Sequence, residues 1–318
     1  MKKRVFVTRD CPGLDSLISA ADDIHFNVCR SPEAPAGADL AKHLADCHGC
    51  ICLLSDEIDE RIMNAAPILK VISIYAVGYN NIDIRAAQKK GIAVCNTPDV
   101  LTKTTAELAW ALLMAAARRI PESHDFVRSG KFTGWQPDLM PGRDVSGKTL
   151  GIIGAGRIGS AVAKISRGFE MPVLYSGRKK TDFEKEFSAN HVSLDDLLAR
   201  SDFISIHVPL TDETYHLLGK REFSLMKSEA VLVNTSRGAV INEAELLNAL
   251  RNGRIAAAGL DVFENEPELT PGLADCHNAV LTPHMGSATM QTRKTMTAMA
   301  VDSCVRILRG QNSRFRVV

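Results

Sequence analysis

Six residues, Gly154-Ala155-Gly156-Arg157-Ile158-Gly159, lie between an apolar run (Thr149-Leu150-Gly151-Ile152-Ile153) and a stretch with helical spacing. A strand, a glycine turn and a helix start in that order constrain the fold more than any other feature of the chain. The first glycine permits a tight turn, the second lets a ligand reach the backbone, and the third lets helix pack close to strand. The helix start adds unpaired N–H groups and a partial positive charge, which suits a pyrophosphate. A second apolar run, Pro172-Val173-Leu174-Tyr175, completes the strand–helix–strand unit of a dinucleotide site. A site built for NAD places Asp or Glu about 20 residues on, to hold the ribose hydroxyls. Here the chain reads Ser176-Gly177-Arg178-Lys179-Lys180. The acid is missing and cations stand in its place. Arg178 is therefore expected to take a 2′-phosphate, making NADP (NADPH) the preferred cofactor and NAD a possible one.

A chain of 318 residues with 45% apolar and 24% charged content can form two domains, each with its own core. The formal net charge of +1 gives no footprint for nucleic acid. The start, Met1-Lys2-Lys3-Arg4, is basic, but Val5-Phe6-Val7 is too short for a signal segment and Arg9-Asp10 breaks it. No stretch approaches the ~18 uncharged apolar residues of a membrane span. The expected location is cytoplasmic, with no membrane partner.

Eight cysteines are too dispersed for a disulfide scaffold. Cys47-x-x-Cys50, near His43, His48 and Cys52, could open a zinc or redox site. It lacks a second ligand pair, and Ile51 stands where haem attachment would need His. Cys50 and Cys52 fall in an apolar run, so packing is the expected role and no metal is expected.

Short β-type runs (4–8, 25–30, 49–54, 70–75, 92–95) alternate with helical patterns (14–21, 38–45, 58–65, 83–89), which implies a mostly parallel sheet with helices on both faces. The segment 102–119, bounded by Pro98 and Pro121, is apolar almost all round a helix and is expected to lie buried between domains. Alternation restarts at Leu150 and runs through 203–208, 230–234, 255–262 and 279–281. A last helix, 287–308, offers Met290, Met296, Met299, Val301, Val305 and Leu308 for packing. The expected class is α/β, with two doubly wound parallel-sheet domains and a cleft between them. The expected division is residues 1–99 plus 287–318, flavodoxin-like and binding substrate, and 100–286, a Rossmann domain binding the dinucleotide.

Three segments each put a titratable residue just past a strand end of the second unit: Val233-Asn234-Thr235-Ser236-Arg237-Gly238, Gly259-Leu260-Asp261-Val262-Phe263-Glu264-Asn265-Glu266-Pro267, and Leu281-Thr282-Pro283-His284-Met285-Gly286-Ser287. An Arg, a Glu and a His converging there fit hydride transfer to a carbonyl. The Arg can bind a carboxylate through two parallel hydrogen bonds. The His can protonate the carbonyl oxygen, and a carboxylate beside an imidazole favours its charged form.

Together these segments resemble the D-2-hydroxyacid dehydrogenase family, and the resemblance extends over nearly the whole chain. It includes Val77-Gly78-Tyr79-Asn80-Asn81-Ile82-Asp83, Asn96-Thr97-Pro98-Asp99-Val100-Leu101 with Thr105-Ala106-Glu107, and Asp144-Val145-Ser146-Gly147-Lys148-Thr149. The resemblance implies Arg237 as substrate-binding and catalytic arginine, Glu266 as histidine partner and His284 as acid/base. Glu264, in the same segment, is set aside. Val77 and Gly78 are implied to hold the substrate carboxylate through backbone N–H groups, and Asp261 to accept from the nicotinamide carboxamide. Further cofactor contacts are implied for Thr105, Val208, Pro209, Thr214, Thr235, Ser236 and Gly286, beside the loop residues Gly154, Gly156, Arg157, Ile158 and Gly159. Ser176, Gly177 and Arg178 are similar to the version in NADPH-preferring glyoxylate and 2-ketoaldonate reductases. Trp135 matches a tryptophan that in glyoxylate/hydroxypyruvate reductases reaches a neighbouring subunit's cleft, which implies a substrate-binding role for it, and a homodimer through 102–119 is implied.

The expected activity is reduction of a small 2-oxo acid, glyoxylate or hydroxypyruvate first and 2-ketogluconate next, to the D-2-hydroxy acid. A dinucleotide-sensing, corepressor-like binding protein is the expectation from another class. A methyltransferase would leave His284 and Arg237 without a task.

Overall fold

Parallel strands joined by helices build both halves of the chain; the computed structural model describes residues 2–31, 33–178 and 182–318. One compact unit comprises Met1–Leu101 with Ser287–Val318, the other Thr102–Gly286. The first contains β1 (Lys3–Val7), α1 (Leu14–Ser19), β2 (Ile24–Val28), α2 (Gly37–Leu44), β3 (Gly49–Cys52), α3 (Glu60–Asn64), β4 (Val71–Ile74), α4 (Ile84–Lys89) and β5 (Ala93–Cys95). The second runs α5 (Thr102–Ala117), α6 (Ile120–Arg128), β6 (Leu150–Ile153), α7 (Arg157–Ser166), β7 (Val173–Ser176), α8 (Phe183–Phe187), β8 (Asn190–His191), α9 (Leu194–Arg200) and β9 (Phe203–Ile206). It continues with α10 (Lys220–Leu225), β10 (Val231–Asn234), α11 (Glu243–Arg251), β11 (Ala257–Leu260) and β12 (Ala279–Leu281). The terminal helix α12 (Met290–Leu308) belongs to the first unit.

Strand order in the first unit is β2-β1-β3-β4-β5, all parallel, so the order reverses between β1 and β3. Every residue of β3, β4 and β5 is buried, as a sheet covered on both faces requires. Cys47, Cys50 and Cys52 are buried thiols of this core, and burial pushes the Cys47 thiol up to about 11. His43 stacks on Phe6 with ring centroids 4.6 Å apart. The packing stripe of α12 uses Met296, Val301, Val305 and Leu308, but Met290 in its first turn is 64% exposed, unlike the expectation.

The second sheet has the order β12-β11-β10-β9-β6-β7-β8, again all parallel, reversing between β6 and β9. Ligands in open α/β sheets bind beyond the carboxyl ends of the strands at such a reversal. The loops leaving β6 and β9 are those that carry Gly154 and Val208. Helix α5 lies in this unit's own core, packed on α7, β10, β11 and β12, with Trp110 Nε1 donating to the Val162 carbonyl at 3.0 Å. Its all-round apolar pattern is thus met by the unit it belongs to. Exposed apolar side chains lie instead on α6 and beyond it: Ile120, Val127, Phe132 and, at 82% exposure, Trp135. Among the described residues no helix is long and apolar enough to cross a membrane.

Candidate active site

The glycine loop leaves β6 in the geometry its spacing anticipates. Gly154 is left-handed (φ +100°), and a Cβ there would sit 2.7 Å from the His207 carbonyl oxygen. A Cβ on Gly159 would sit 2.3 Å from the Gly154 carbonyl, so α7 can start this close to β6 only with glycine. A Cβ on Gly156 would meet nothing within 4 Å. Gly156 is the N-cap of α7 and offers no side chain to its first N–H groups, leaving them for an anion. At the end of β10 the Thr235 hydroxyl is buried with no protein partner among the described residues. An open second glycine, a bare helix start and an orphaned hydroxyl on one sheet edge fit a dinucleotide. Arg157 is exposed beside Ile158 on the first turn of α7.

Ser176 ends β7 and its carbonyl accepts from Gly154 N at 2.9 Å. Gly177 follows, its carbonyl 3.1 Å from His191 Nε2, and Arg178 is exposed beyond it. Lys179 and Lys180 lie outside the described residues. Arg178 acts electrostatically on Glu213, whose carboxyl is held below the usual range first by the Thr211 hydroxyl. In the 208–214 loop, Thr214 Oγ1 donates to the Pro209 carbonyl (2.6 Å) and accepts from Thr211 N (2.8 Å). Thr214 thus shapes the loop after Val208 and Pro209 from within.

His284 and Glu266 meet: Nδ1 lies 2.8 Å from Oε2, and Glu266 Oε1 accepts from Phe263 N at 3.0 Å. Burial pushes the Glu266 carboxyl up, but the His284 hydrogen bond and charge, the Phe263 N–H and the Arg237 charge outweigh it. The carboxyl stays below its usual value. His284 is left-handed (φ +50°), an uncommon backbone for a non-glycine residue and a mark of functional sites. Asp261 holds it so. Asp261 Oδ1 accepts from Met285 N (2.7 Å) and Thr282 Oγ1 (2.7 Å), Oδ2 accepts from Gly286 N (2.8 Å), and its carbonyl accepts from His284 N (2.9 Å). Burial, only partly offset by these donors, raises the Asp261 carboxyl. Thr105 Oγ1 donates to the Gly286 carbonyl at 3.1 Å. Asp261, Thr105 and Gly286, expected at the cofactor, are here tied into the loop that presents His284.

Arg237 stands at the mouth of the turn after β10. Burial lowers its value and the nearby Glu266 charge opposes that shift. Among the described residues its side chain makes one hydrogen bond, Nη1 to the Ser236 carbonyl at 2.7 Å. The guanidinium has five N–H donors, so most of the fork is open to a ligand. The turn is held by Asn234, fully buried, whose Oδ1 accepts from Ser236 N (3.0 Å) and Oγ (2.8 Å) while Nδ2 donates to the Arg237 carbonyl (2.9 Å). Sequence reasoning missed Asn234; the signal was a polar residue closing the apolar run Val231-Leu232-Val233.

Gly238 explains how the two loops come together. A Cβ there would lie 1.9 Å from the Phe263 carbonyl carbon and 2.4 Å from Glu264 N, both backbone atoms. Gly238→Ala is therefore expected to lower stability by about 1–3 kcal/mol and to depress turnover by displacing Glu266; an unchanged denaturant midpoint would refute the close approach.

In the first unit, Val77 and Gly78 follow β4, and among the described residues neither amide donates to a protein acceptor. Asn96 Nδ2 fixes the Val77 carbonyl at 2.8 Å. In the second unit, Trp135 is exposed in the segment after α6.

Residues 110–286 match the NAD binding domain of the D-isomer specific 2-hydroxyacid dehydrogenases. The glyoxylate reductase of Korarchaeum cryptofilum is 47% identical over 317 residues, covering 98% of this chain and 94% of the relative. That of Thermococcus litoralis is 45% identical over 317 residues, with 98% and 95% covered. A crystal structure of a Thermus thermophilus protein superposes with a TM-score of 0.92 at 42% identity, covering 99% of this chain and all of that one.

Proposed function

Because the chain belongs to the D-isomer specific 2-hydroxyacid dehydrogenase family, we propose that it reduces a small 2-oxo acid, glyoxylate or hydroxypyruvate first, to the D-2-hydroxy acid with NADPH. The observation that carries this reading is the 2.8 Å His284–Glu266 pair, with the Arg237 charge beside it, on the sheet edge that holds the glycine loop. Bound NADPH supplies the hydride. Gly154, Gly156, Arg157, Ile158 and Gly159 hold its pyrophosphate, while Ser176, Gly177 and Arg178 face the adenosine ribose. Val208, Pro209, Thr214, Thr235, Ser236, Asp261, Gly286 and Thr105 would supply its remaining contacts. Arg237 holds the substrate carboxylate with its fork, and a substrate-binding role for the backbone amides of Val77 and Gly78 follows from the family's pattern. His284 gives a proton from Nε2 to the carbonyl oxygen, and Glu266 stabilises the imidazolium that makes this possible. Arg237 also stabilises charge developing on that oxygen.

Support for glyoxylate comes from the names of the relatives above, and support for a homodimer from the exposed Ile120, Val127, Phe132 and Trp135. The location proposed is cytoplasmic. The experiment is kcat/KM for glyoxylate, hydroxypyruvate and 2-ketogluconate with NADPH and NADH in parallel. The highest value is expected for glyoxylate or hydroxypyruvate with NADPH. Preference for 2-ketogluconate would move the substrate reading, and nucleotide binding without turnover would favour a sensing protein.

Arg178→Ala isolates the cofactor preference. Its guanidinium would lose the 2′-phosphate but nothing of NADH, so the NADPH/NADH ratio of kcat/KM is expected to fall roughly 10- to 100-fold. A ratio that stays put removes Arg178 from the site and leaves the dehydrogenase reading standing.

A further inference from the structure

Glu264, two residues before Glu266, is the centre of a hydrogen-bond relay that the proposed chemistry does not use. Its Oε1 lies 2.7 Å from His216 Nε2. Its Oε2 accepts from Glu243 N (3.1 Å), while Glu264 N donates to Glu243 Oε2 (2.9 Å). Glu243 Oε1 accepts from Thr270 N (2.8 Å), and Glu243 is only 3% exposed. Two glutamates thus clasp each other through backbone N–H groups, and one of them reaches on to a histidine.

The histidine's proton can be placed from its partners. Asn242 Oδ1 caps α11 by accepting from Glu245 N (3.1 Å), which fixes the amide so that Nδ2 points at His216 Nδ1 (3.4 Å). An amide nitrogen only donates, so Nδ1 accepts, and Nε2 carries the hydrogen that Glu264 receives. His216 is left-handed (φ +48°), its N–H donates to the Ala239 carbonyl (2.8 Å), and its ring stacks on Tyr215 at 4.0 Å. Such a backbone persists only where the surroundings over-determine it.

Three loops meet at this relay. His216 closes the 208–216 segment, which carries Pro209 and Thr214. Ala239 and Asn242 belong to the turn that begins at Arg237. Glu264 belongs to the loop whose next residues include Glu266. The geometry points to His216 and Glu264 as positioning residues that couple dinucleotide occupancy of the 208–214 loop to the placement of Glu266 against His284. This rests on the dinucleotide reading given above. Neither residue touches the reacting groups. Each acts by fixing where another loop sits, so loosening one should weaken nucleotide binding and substrate turnover together.

The test is a double-variant cycle read by fluorescence titration of NADPH and by kcat and KM for glyoxylate. His216→Asn keeps the left-handed backbone at little cost but is too short to reach Glu264. His216→Gln is long enough to restore the donor. Glu264→Gln removes the charge and keeps the size. His216→Asn and Glu264→Gln are each expected to weaken NADPH binding about 5- to 20-fold and to lower kcat at saturating NADPH. His216→Gln is expected to recover to within about 3-fold of wild type, and the double variant to be no worse than the poorer single variant. Thermal midpoints of the Asn and Gln variants should agree, which separates positioning from general loss of stability. Unchanged NADPH affinity in His216→Asn overturns the proposal, as do effects that multiply in the double variant. Wild-type protein that binds no dinucleotide removes the reading beneath it, and the proposal with it.

Discussion

Replacement of His284 by Ala or Asn is expected to lower kcat for 2-oxo acid reduction by ~10²–10⁴-fold, the usual contribution of a positioned acid/base group. Asn is the more telling of the two, because it tolerates the left-handed backbone that His284 adopts. It leaves the clasp of Asp261 on Met285 and Gly286 in place, so lost rate reports the lost imidazole. NADPH affinity in His284→Asn should stay near wild type. Activity within a few-fold of wild type would end the assignment. The companion change, Glu266→Gln, should lower kcat, since a neutral amide no longer stabilises the imidazolium formed during proton transfer. Glu266 carries a lowered carboxyl value in the fold. By linkage, its ionised form stabilises the fold fully above pH 4.5, the unperturbed value, and that contribution is lost as the pH falls through the lower folded value.

Arg237→Lys is expected to lower kcat/KM by about 10²–10³-fold, the loss seen when a preorganised oxyanion donor is removed. Lysine retains the charge but not the planar fork, and a carboxylate bound through two parallel N–H groups distinguishes the two. KM for the 2-oxo acid should rise while KM for NADPH holds. Thermal stability should stay near wild type, because lysine keeps the buried charge and, among the described residues, the Arg237 side chain gives up one protein hydrogen bond. A large fall in stability with an unchanged KM would make Arg237 a structural residue.

The fold was legible in the chain because its signals are local. Alternating apolar runs and helical patterns marked all the principal strands, and the observed ones differ mainly at their ends. The run at 203–208 stops pairing as β9 at Ile206, after which His207 N still donates to the Ile153 carbonyl while the chain turns away. The short elements α8 and β8, which hold no long periodic pattern, were not anticipated. The helix at 102–119 was recognised as buried, but periodicity says only that a face is covered and not by what. Its partners, α7 and β10 to β12, lie tens to well over a hundred residues away in sequence.

In the candidate site the same division holds residue by residue. The glycine loop was readable from sequence alone, because steric room at a turn is a property of the residues themselves. Arg, Glu and His past three strand ends were readable as a set. Spacing alone left open which acid meets His284, since Glu264 and Glu266 differ by two positions in one loop, and it was the family resemblance that implied Glu266. The tertiary structure turns Glu266 to His284 and Glu264 to His216, at 2.8 and 2.7 Å. Gly238 decides this by letting the Arg237 turn lie against the backbone of Phe263 and Glu264, which any Cβ would prevent. Asp261 and Thr105 likewise serve the His284 loop through bonds spanning 25 and 181 residues. Hydrogen bonds form over about 3 Å, so their partners are chosen by how distant loops approach, and sequence spacing carries no record of that approach.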